Sequence, residues 1–182
     1  SVSAYVEDDA VVAITVIVVS DVDDDQVPQT ITAQLTLNDP NAGVLTTSGS
    51  ATYNAVSDLW QISDSLANVN AALAAVTFIP NANYADDTTI TTRVVDQDGV
   101  GPANGVITLD VTPVNDVPTF TIGADQTVDE DPGVQTVAGF ITDGSTGPAN
   151  EAAQSLTYNV INDNNGLFAV QPAISAAGVL TY

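Results

Sequence analysis

The run Ile31-Thr32-Ala33-Gln34-Leu35-Thr36-Leu37 has an apolar side chain at every odd position and a polar one at every even position. Because successive side chains of a β-strand point to opposite faces, this alternation predicts a strand with one buried and one solvated face. Similar runs rich in Val, Ile, Leu and Thr alternate with clusters of Asp, Asn, Gly and Pro, which is typical of an all-β protein. Strands are predicted at residues 11–19, 30–37, 56–62, 75–79, 88–95 and 106–114.

One segment has the period of a helix rather than of a strand. After Asp64, the apolar residues Leu66, Val69 and Leu73 recur at positions i, i+3 and i+7. This spacing predicts a short helix over residues 64–73, with Ser63 or Asp64 as its N-cap. We expect the apolar stripe to face the protein core rather than a ligand.

The charge of the chain is strongly one-sided. It carries 23 acidic residues against a single basic one, Arg93, for a net charge of −22. Nucleic acids and anionic membranes are therefore excluded as expected partners, because both are bound through cationic side chains. So much negative charge also destabilises a compact fold by self-repulsion. Bound divalent cations would offset this repulsion, and a hydrated acidic surface adapted to high salt is the alternative.

The residue types of most catalytic centres are missing. Without His, Cys or Lys, the chain cannot form a Ser-His-Asp triad, an imidazole or thiolate metal site, or a lysine nucleophile. A carboxylate-pair hydrolase stays open in principle. The acids cluster in polar turns rather than in an apolar cleft, however, so we expect no enzyme. No apolar run approaches the ~20 residues that a membrane-spanning helix needs.

A partial internal repeat divides the chain into two units. Val6-Glu7-Asp8-Asp9 resembles Asp129-Glu130-Asp131-Pro132, and Val76-Thr77-Phe78-Ile79-Pro80 resembles Leu180-Thr181-Tyr182. Glu130 follows Glu7 by 123 residues, whereas Tyr182 follows Phe78 by 104, so the second unit is shorter in its middle. We predict domains at residues 1–116 and 117–182. The linker Pro113-Val114-Asn115-Asp116-Val117-Pro118 is expected to be stiff and extended, because each Pro restricts itself and its predecessor.

The second unit has no counterpart of the last two strands that are predicted for the first. A sandwich that lacks them would expose apolar core and bare strand edges. Either the native chain continues past Tyr182 or another chain supplies the missing strands, as in strand donation. Continuation is the favoured expectation.

Most of the acids fall in predicted loops, which in a sandwich of immunoglobulin topology alternate between two poles. The loops at residues 21–25 and 96–98 share one pole, and the turn at Glu7 shares the other with the loop at residues 83–87. The linker leaves from this second pole. The turn-forming tendency of Asp explains single residues such as Asp39, but it explains the four carboxylates at residues 21–25 less well.

Calcium is the cofactor that we predict, because it takes 6–8 oxygen ligands, often from several loops. The expected ligands are carboxylate and amide side chains of these loops, of the linker and of the second unit's corresponding turns. They are Glu7, Asp8, Asp21, Asp23, Asp25, Asp86, Asp96, Asp98, Asn115, Asp116, Glu130, Asp131, Asp143 and Glu151.

The order of several short motifs resembles the bacterial cadherin-like repeats of giant surface adhesins, including those of the RTX type. In the first unit the resemblance rests on Ser20-Asp21-Val22-Asp23, Phe78-Ile79-Pro80-Asn81-Ala82-Asn83-Tyr84, Asp96-Gln97-Asp98-Gly99 and Val114-Asn115-Asp116-Val117-Pro118. The second unit resembles a sister repeat type through Asp125-Gln126-Thr127-Val128-Asp129-Glu130-Asp131 and Gly147-Pro148-Ala149-Asn150-Glu151.

The resemblance implies tandem seven-strand Greek-key sandwiches, the second one incomplete, with calcium at the junctions between repeats. In cadherins, an acid near the first strand, a linker Asn-Asp and an Asp-x-Asp of the next repeat share the ions. Glu7, Asn115 and Asp116 match the first two elements, whereas Asp143-Gly144-Ser145 stands in place of Asp-x-Asp.

The function that the resemblance implies is that of an extender, an extracellular cell-surface segment that projects an adhesive tip and contacts neighbouring repeats. A strand-donating fibre subunit that binds copies of itself is one alternative. A glycan-binding module is another. Such modules usually present several aromatic side chains on one face, whereas the single Trp60 lies in an apolar-alternating run and is expected to be buried.

Overall fold

The computed structural model describes residues 1–20 and 29–182, so that Asp21, Asp23 and Asp25 lie outside the described residues. The chain divides into two compact units, Ser1–Val114 and Asn115–Tyr182. Asn115 and Asp116, which were expected to end the first repeat, thus belong to unit 2. They do so because Glu151 and Gln154 of that unit bind them through hydrogen bonds.

The described residues of unit 1 form two β-sheets and one helix. Its elements are β1 (Val2–Val6), β2 (Val12–Ala13), β3 (Thr30–Leu37), β4 (Gly43–Leu45), β5 (Thr52–Asn54), β6 (Leu59–Ser65), α1 (Leu66–Ala75), β7 (Thr77–Pro80), β8 (Thr88–Val95) and β9 (Gly105–Thr112). The larger sheet has the order β1-β9-β8-β3-β6-β5, and the smaller one has the order β2-β7-β4. β1 pairs with β9 in parallel.

Strand β3 lies in the middle of the larger sheet, between β6 and β8. Its bounds are those predicted from the alternation, and Ile31, Ala33, Leu35 and Leu37 are all buried. Trp60 faces Leu35 across the β3–β6 ladder and is 0% exposed, which confirms its predicted place in the core. The prediction of an all-β protein is confirmed, with nine strands in the described part of unit 1.

The predicted strand at residues 11–19 is wrong over most of its length, because only Val12–Ala13 pairs as a strand. In the rest of this run, hydrogen bonds to side chains take the place of hydrogen bonds to a neighbouring strand. The Thr15 N–H donates to Ser3 Oγ over 2.9 Å. The Val19 N–H donates to Asn70 Oδ1 over 2.8 Å, and Asn70 Nδ2 donates back to the Val19 carbonyl over 2.9 Å.

Helix α1 is confirmed, but it begins later than predicted. The β3–β6 ladder continues through Ser63 and Asp64 to Ser65, so the chain cannot turn into a helix before Leu66. Ser65 is therefore the N-cap, and its Oγ accepts a hydrogen bond from the Asn68 N–H. The predicted core stripe is also confirmed, since Val69 and Leu73 are buried and Leu66 is partly buried against the core.

Unit 2 repeats the smaller sheet of unit 1. Its strands are β10 (Thr119–Ile122), β11 (Thr136–Val137), β12 (Ile141–Ser145), β13 (Ala173–Ile174) and β14 (Leu180–Thr181). The order β11-β14-β13 matches β2-β7-β4, and β10 pairs with β12. The strand register agrees as well, because Thr136 faces Thr181 in unit 2 as Ala13 faces Thr77 in unit 1. Thr136 follows Ala13 by 123 residues and Thr181 follows Thr77 by 104, which are the separations that the sequence repeat predicts.

Over residues 1–20 and 29–182, no helix is both long enough and apolar enough to span a membrane.

Candidate cation site

Two acidic residues, Asp116 and Glu151, are joined by a hydrogen bond at the start of unit 2. The Asp116 N–H donates to Glu151 Oε1 over 2.8 Å. Glu151 ends the short 3₁₀ helix Ala149–Glu151 and is 5% exposed. The second oxygen of each group, Asp116 Oδ2 and Glu151 Oε2, is buried and has no hydrogen-bond partner among the described residues. Burying a carboxylate oxygen without a hydrogen-bond partner costs free energy. This arrangement therefore favours a bound ligand that accepts electron pairs from the two oxygens.

The loop before Glu151 is shaped around its carboxylate. The Thr146 hydroxyl donates to the Glu151 carbonyl over 3.0 Å, and the Glu151 N–H donates to the Pro148 carbonyl over 3.0 Å. Gly147 has φ of +147°, and a Cβ at this position would overlap Glu151 Oε2 and lie 3.3 Å from the Asp116 Cβ. Glycine thus leaves room for the two carboxylates to approach each other beside the backbone.

Unit 2 contains no Lys, Arg or His of its own that could neutralise this pair. The only one in the sequence, Arg93, lies on β8 in unit 1, where it donates to Gln34 Oε1 over 3.2 Å. A hard divalent cation is the ligand that such oxygens suit, since calcium is held by carboxylates together with carbonyl, amide and water oxygens. The Asn115 Oδ1, which accepts from Gln154 Nε2 over 3.1 Å, is a further oxygen on the same segment.

A second group of acids lies at one pole of unit 1. Glu7 follows β1 and is 3% exposed, and its Oε2 accepts from the Val114 N–H over 2.7 Å. Asp8 Oδ1 accepts from the Asn83 N–H over 2.8 Å, which confirms that the turn after β1 and the loop before β8 share a pole. The buried Glu7 carboxylate therefore holds the backbone of Val114, the last residue of unit 1, by this hydrogen bond.

Asp87 belongs to this pole, although it was absent from the candidate ligands. Its Oδ1 accepts from the Val111 N–H over 3.0 Å. Burial, followed by the negative charges of Asp87 and Glu7, raises the pKa of Tyr5 to about 12. Burial and Asp39 raise the pKa of Tyr84, and the charge of Asp86, which was among the predicted ligands, adds to this rise. The sequence signal for Asp87 is its place directly before Thr88, the first residue of β8.

Replacing Tyr5 by Phe is expected to change stability at neutral pH by less than about 1 kcal/mol, because the buried Tyr5 Oη has no hydrogen-bond partner among the described residues. Folding favours the neutral phenol. The stability that the neutral Tyr5 side chain contributes is therefore present below its ordinary pKa of 10.0. This stability is lost as the pH rises through about 12, the pKa in the folded protein. The Tyr5→Phe protein should lose less stability over this pH range, as measured by urea unfolding at several pH values.

Tyr53→Phe is the matched control for this substitution. The pKa of Tyr53 is also raised to about 12, by burial first and then by Asp58, but its hydroxyl donates to Asp58 Oδ1 over 3.2 Å. Tyr53→Phe should therefore cost about 1 kcal/mol. If Tyr5→Phe cost more than Tyr53→Phe at neutral pH, the Tyr5 hydroxyl would have a partner that this account lacks.

Within the described residues, the other predicted ligands are not assembled into a site. Asp96 Oδ1 accepts from the N–H groups of Asp98 and Val100, as a turn-forming Asp does. Glu130 and Asp131 are exposed beside an apolar groove of unit 2. Asp143 is exposed and accepts from the Thr142 hydroxyl over 3.3 Å.

No group of three or more acidic side chains that could hold a metal ion is found within residues 1–20 and 29–182. Asp116 and Glu151 would therefore need amide, carbonyl or water oxygens to complete a calcium site. Calcium binding stays a prediction, as does the contribution of Asp21, Asp23 and Asp25.

The comparisons with known proteins leave the function open. No protein-family model matches this chain, and no curated protein matches it either.

Proposed function

We propose that this chain is a calcium-stiffened extender segment of an extracellular bacterial adhesin or surface filament. The observation that carries the proposal is the pair Asp116 and Glu151, whose second oxygens are buried without a hydrogen-bond partner among the described residues. Asp116 lies in the linker sequence between the two repeats, so an ion that it binds would restrict the linker as well as unit 2.

The repeat itself supports an extender role. Units with the same sheet order and the same register, β2-β7-β4 and β11-β14-β13, follow one another along the chain. The two prolines Pro113 and Pro118 limit the conformations of the segment that joins them. A string of such units has neighbouring repeats as its natural partners, and its work is mechanical rather than catalytic.

Calcium suits this pair better than magnesium does. Magnesium demands a near-ideal octahedron and keeps several waters, whereas calcium accepts a variable set of 6–8 oxygens. Extracellular calcium modules bind with Kd values of about 10⁻⁴–10⁻³ M, and a low count of charged ligands, such as the two carboxylates here, favours weak binding of this kind. An extracellular location would supply calcium at that level.

The glycan-binding alternative loses its main aromatic candidate. Trp60 is 0% exposed in the middle of the unit 1 core, so its ring is not available to stack on a sugar.

Calorimetric titration of the full chain with calcium tests the proposal. We expect binding with a Kd of about 10⁻⁴–10⁻³ M and much weaker binding of magnesium. Glu151→Gln should weaken one calcium site by at least about tenfold, because it removes the charge of a ligand whose free oxygen is already buried.

Asp163→Asn is the matched control, since Asp163 is an exposed acid of unit 2 outside the candidate set. It removes the same formal charge and should leave the titration unchanged. The proposal fails if calcium gives no binding heat, or if Glu151→Gln and Asp163→Asn bind calcium as the unmodified chain does.

A further inference from the structure

Two side chains of one turn hold two consecutive residues at the start of unit 2. Glu151 Oε1 accepts from the Asp116 N–H over 2.8 Å, and Gln154 Nε2 donates to Asn115 Oδ1 over 3.1 Å. We call these four residues the clasp. Glu151, Asn115 and Asp116 were all predicted ligands, whereas Gln154 was not.

The turn brings the side chains of Glu151 and Gln154 to the same side. The Gln154 N–H donates to the Glu151 carbonyl over 2.9 Å, directly after the 3₁₀ helix Ala149–Glu151. Hydrogen bonds between residues three apart give a tight turn in which the side chains of these residues lie one above the other. The Glu151 carbonyl also accepts from the Thr146 hydroxyl over 3.0 Å, which ties the turn to the preceding loop. Both side chains therefore reach the same segment, the first residues of unit 2.

Two hydrogen bonds fix the direction in which the Asn115 amide faces. Its Nδ2 donates to the Asp116 carbonyl over 2.8 Å, while its Oδ1 accepts from Gln154 Nε2. Reversal of the amide would set Asn115 Oδ1 against the Asp116 carbonyl, where two acceptors meet and no hydrogen bond forms. Gln154 thus keeps Asn115 Oδ1, an oxygen with two lone pairs, on the side of the Glu151 turn.

We propose that Gln154 is the positioning residue of the clasp, which holds Asn115 and Asp116 in place before any ion binds. The hydrogen bonds of the clasp join groups of the protein to one another, so the segment is already ordered without an ion. Such preorganisation raises the affinity for a ligand, because binding no longer has to order the segment. Only this effect on calcium rests on the proposed function. Gln154 and Asn115 are both exposed, so their hydrogen bond contributes modestly.

Hydrogen exchange of the full chain in a chelator, followed by NMR, tests the clasp without calcium. Gln154→Met keeps the length of the side chain and removes its donor. We expect the Asp116 amide to exchange about two- to tenfold faster in this variant, because lifting the segment from the turn then breaks one hydrogen bond fewer. The Ile141 amide of the same unit, which donates to the Gly178 carbonyl over 2.9 Å, should exchange at an unchanged rate.

Gln126→Met is the matched control. Gln126 is another exposed Gln of unit 2, and its Nε2 donates to the Ala124 carbonyl over 2.6 Å, away from the clasp. This variant should leave the exchange of the Asp116 amide unchanged. The proposal is overturned if Gln154→Met does not speed exchange at Asp116. It is also overturned if Gln154→Met speeds exchange equally at Ile141, because Gln154 would then only stabilise unit 2 as a whole.

Calcium titration of the same variants separates the clasp from the proposed function. If calcium binds at Asp116 and Glu151, Gln154→Met should raise its Kd about two- to tenfold, and Gln126→Met should not change it. Calcium binding that is equally tight in Gln154→Met would overturn the role of Gln154 and leave the proposed function standing. Absence of calcium binding by the unmodified chain would contradict the proposed function alone, because the Asp116 amide reports on the clasp in the chelator.

Discussion

Replacing Phe78 by Ala is expected to destabilise unit 1 by about 3–5 kcal/mol, the usual range for removing a buried Phe. Phe78 lies on β7, is 0% exposed and meets the Tyr5 ring edge to face at 5.7 Å. Its ring fills the core between the two sheets, so truncation leaves a cavity that neither sheet can close. Urea unfolding followed by the fluorescence of Trp60, the only Trp, reports on unit 1 alone.

Tyr182→Ala is the matched substitution in unit 2. Tyr182 stands at the position that corresponds to Phe78 and meets the Phe168 ring at 6.2 Å, but it is half-buried. Its loss should cost about 1 kcal/mol in unit 2, because less apolar area is withdrawn from water. The Trp60 transition should not move. Equal costs at the two positions would contradict the difference in burial between Phe78 and Tyr182.

Gly43→Ala is the second substitution with a large expected effect, a loss of about 3 kcal/mol or more. Gly43 begins β4 opposite Pro80, with φ of +151°. A Cβ there would overlap the Ile79 carbonyl oxygen and lie 2.8 Å from the Pro80 Cα. Both obstacles are backbone atoms of β7, so the β4–β7 ladder would have to separate.

Gly49→Ala distinguishes this steric conflict from backbone strain. Gly49 also has a positive φ, +60°, but a Cβ there would meet no atom within 4 Å. Only the strain of a left-handed residue remains, about 1–2 kcal/mol. Urea midpoints of the two variants give the comparison. Equal losses would mean that β4 is not held against β7 as described.

The strands with clear alternation could be predicted from the sequence. Strand β3 has the predicted bounds, because a period of two over eight residues leaves little choice of structure. Strand β8 also has its predicted bounds, although its alternation is less clean. The short strands β4 and β5 could not be predicted, since three residues carry no period. At residues 14–20 the apolar run was misleading, because Ser3 and Asn70 bind the backbone that a strand neighbour would bind.

The candidate site was predicted as a set of residues but not as a geometry. Asp116 and Glu151 were both among the candidate ligands, yet they are separated by many residues and only the fold brings them together. Nothing in the sequence pattern distinguishes Glu151, which is 5% exposed, from the exposed Glu130. Asp86 and Asp87 are adjacent, and the register of β8 decides which of them faces Tyr5.

Thermal unfolding of the full chain with calcium, with magnesium and with a chelator, at physiological salt, tests the central claim most directly. If calcium binds at Asp116 and Glu151, calcium at ten times its Kd should raise the melting temperature of unit 2 by about 5–10 °C. Magnesium should do much less, and Glu151→Gln should remove the rise. Equal melting in calcium and chelator, with stabilisation by high salt alone, would contradict the account and make the acids a hydrated surface.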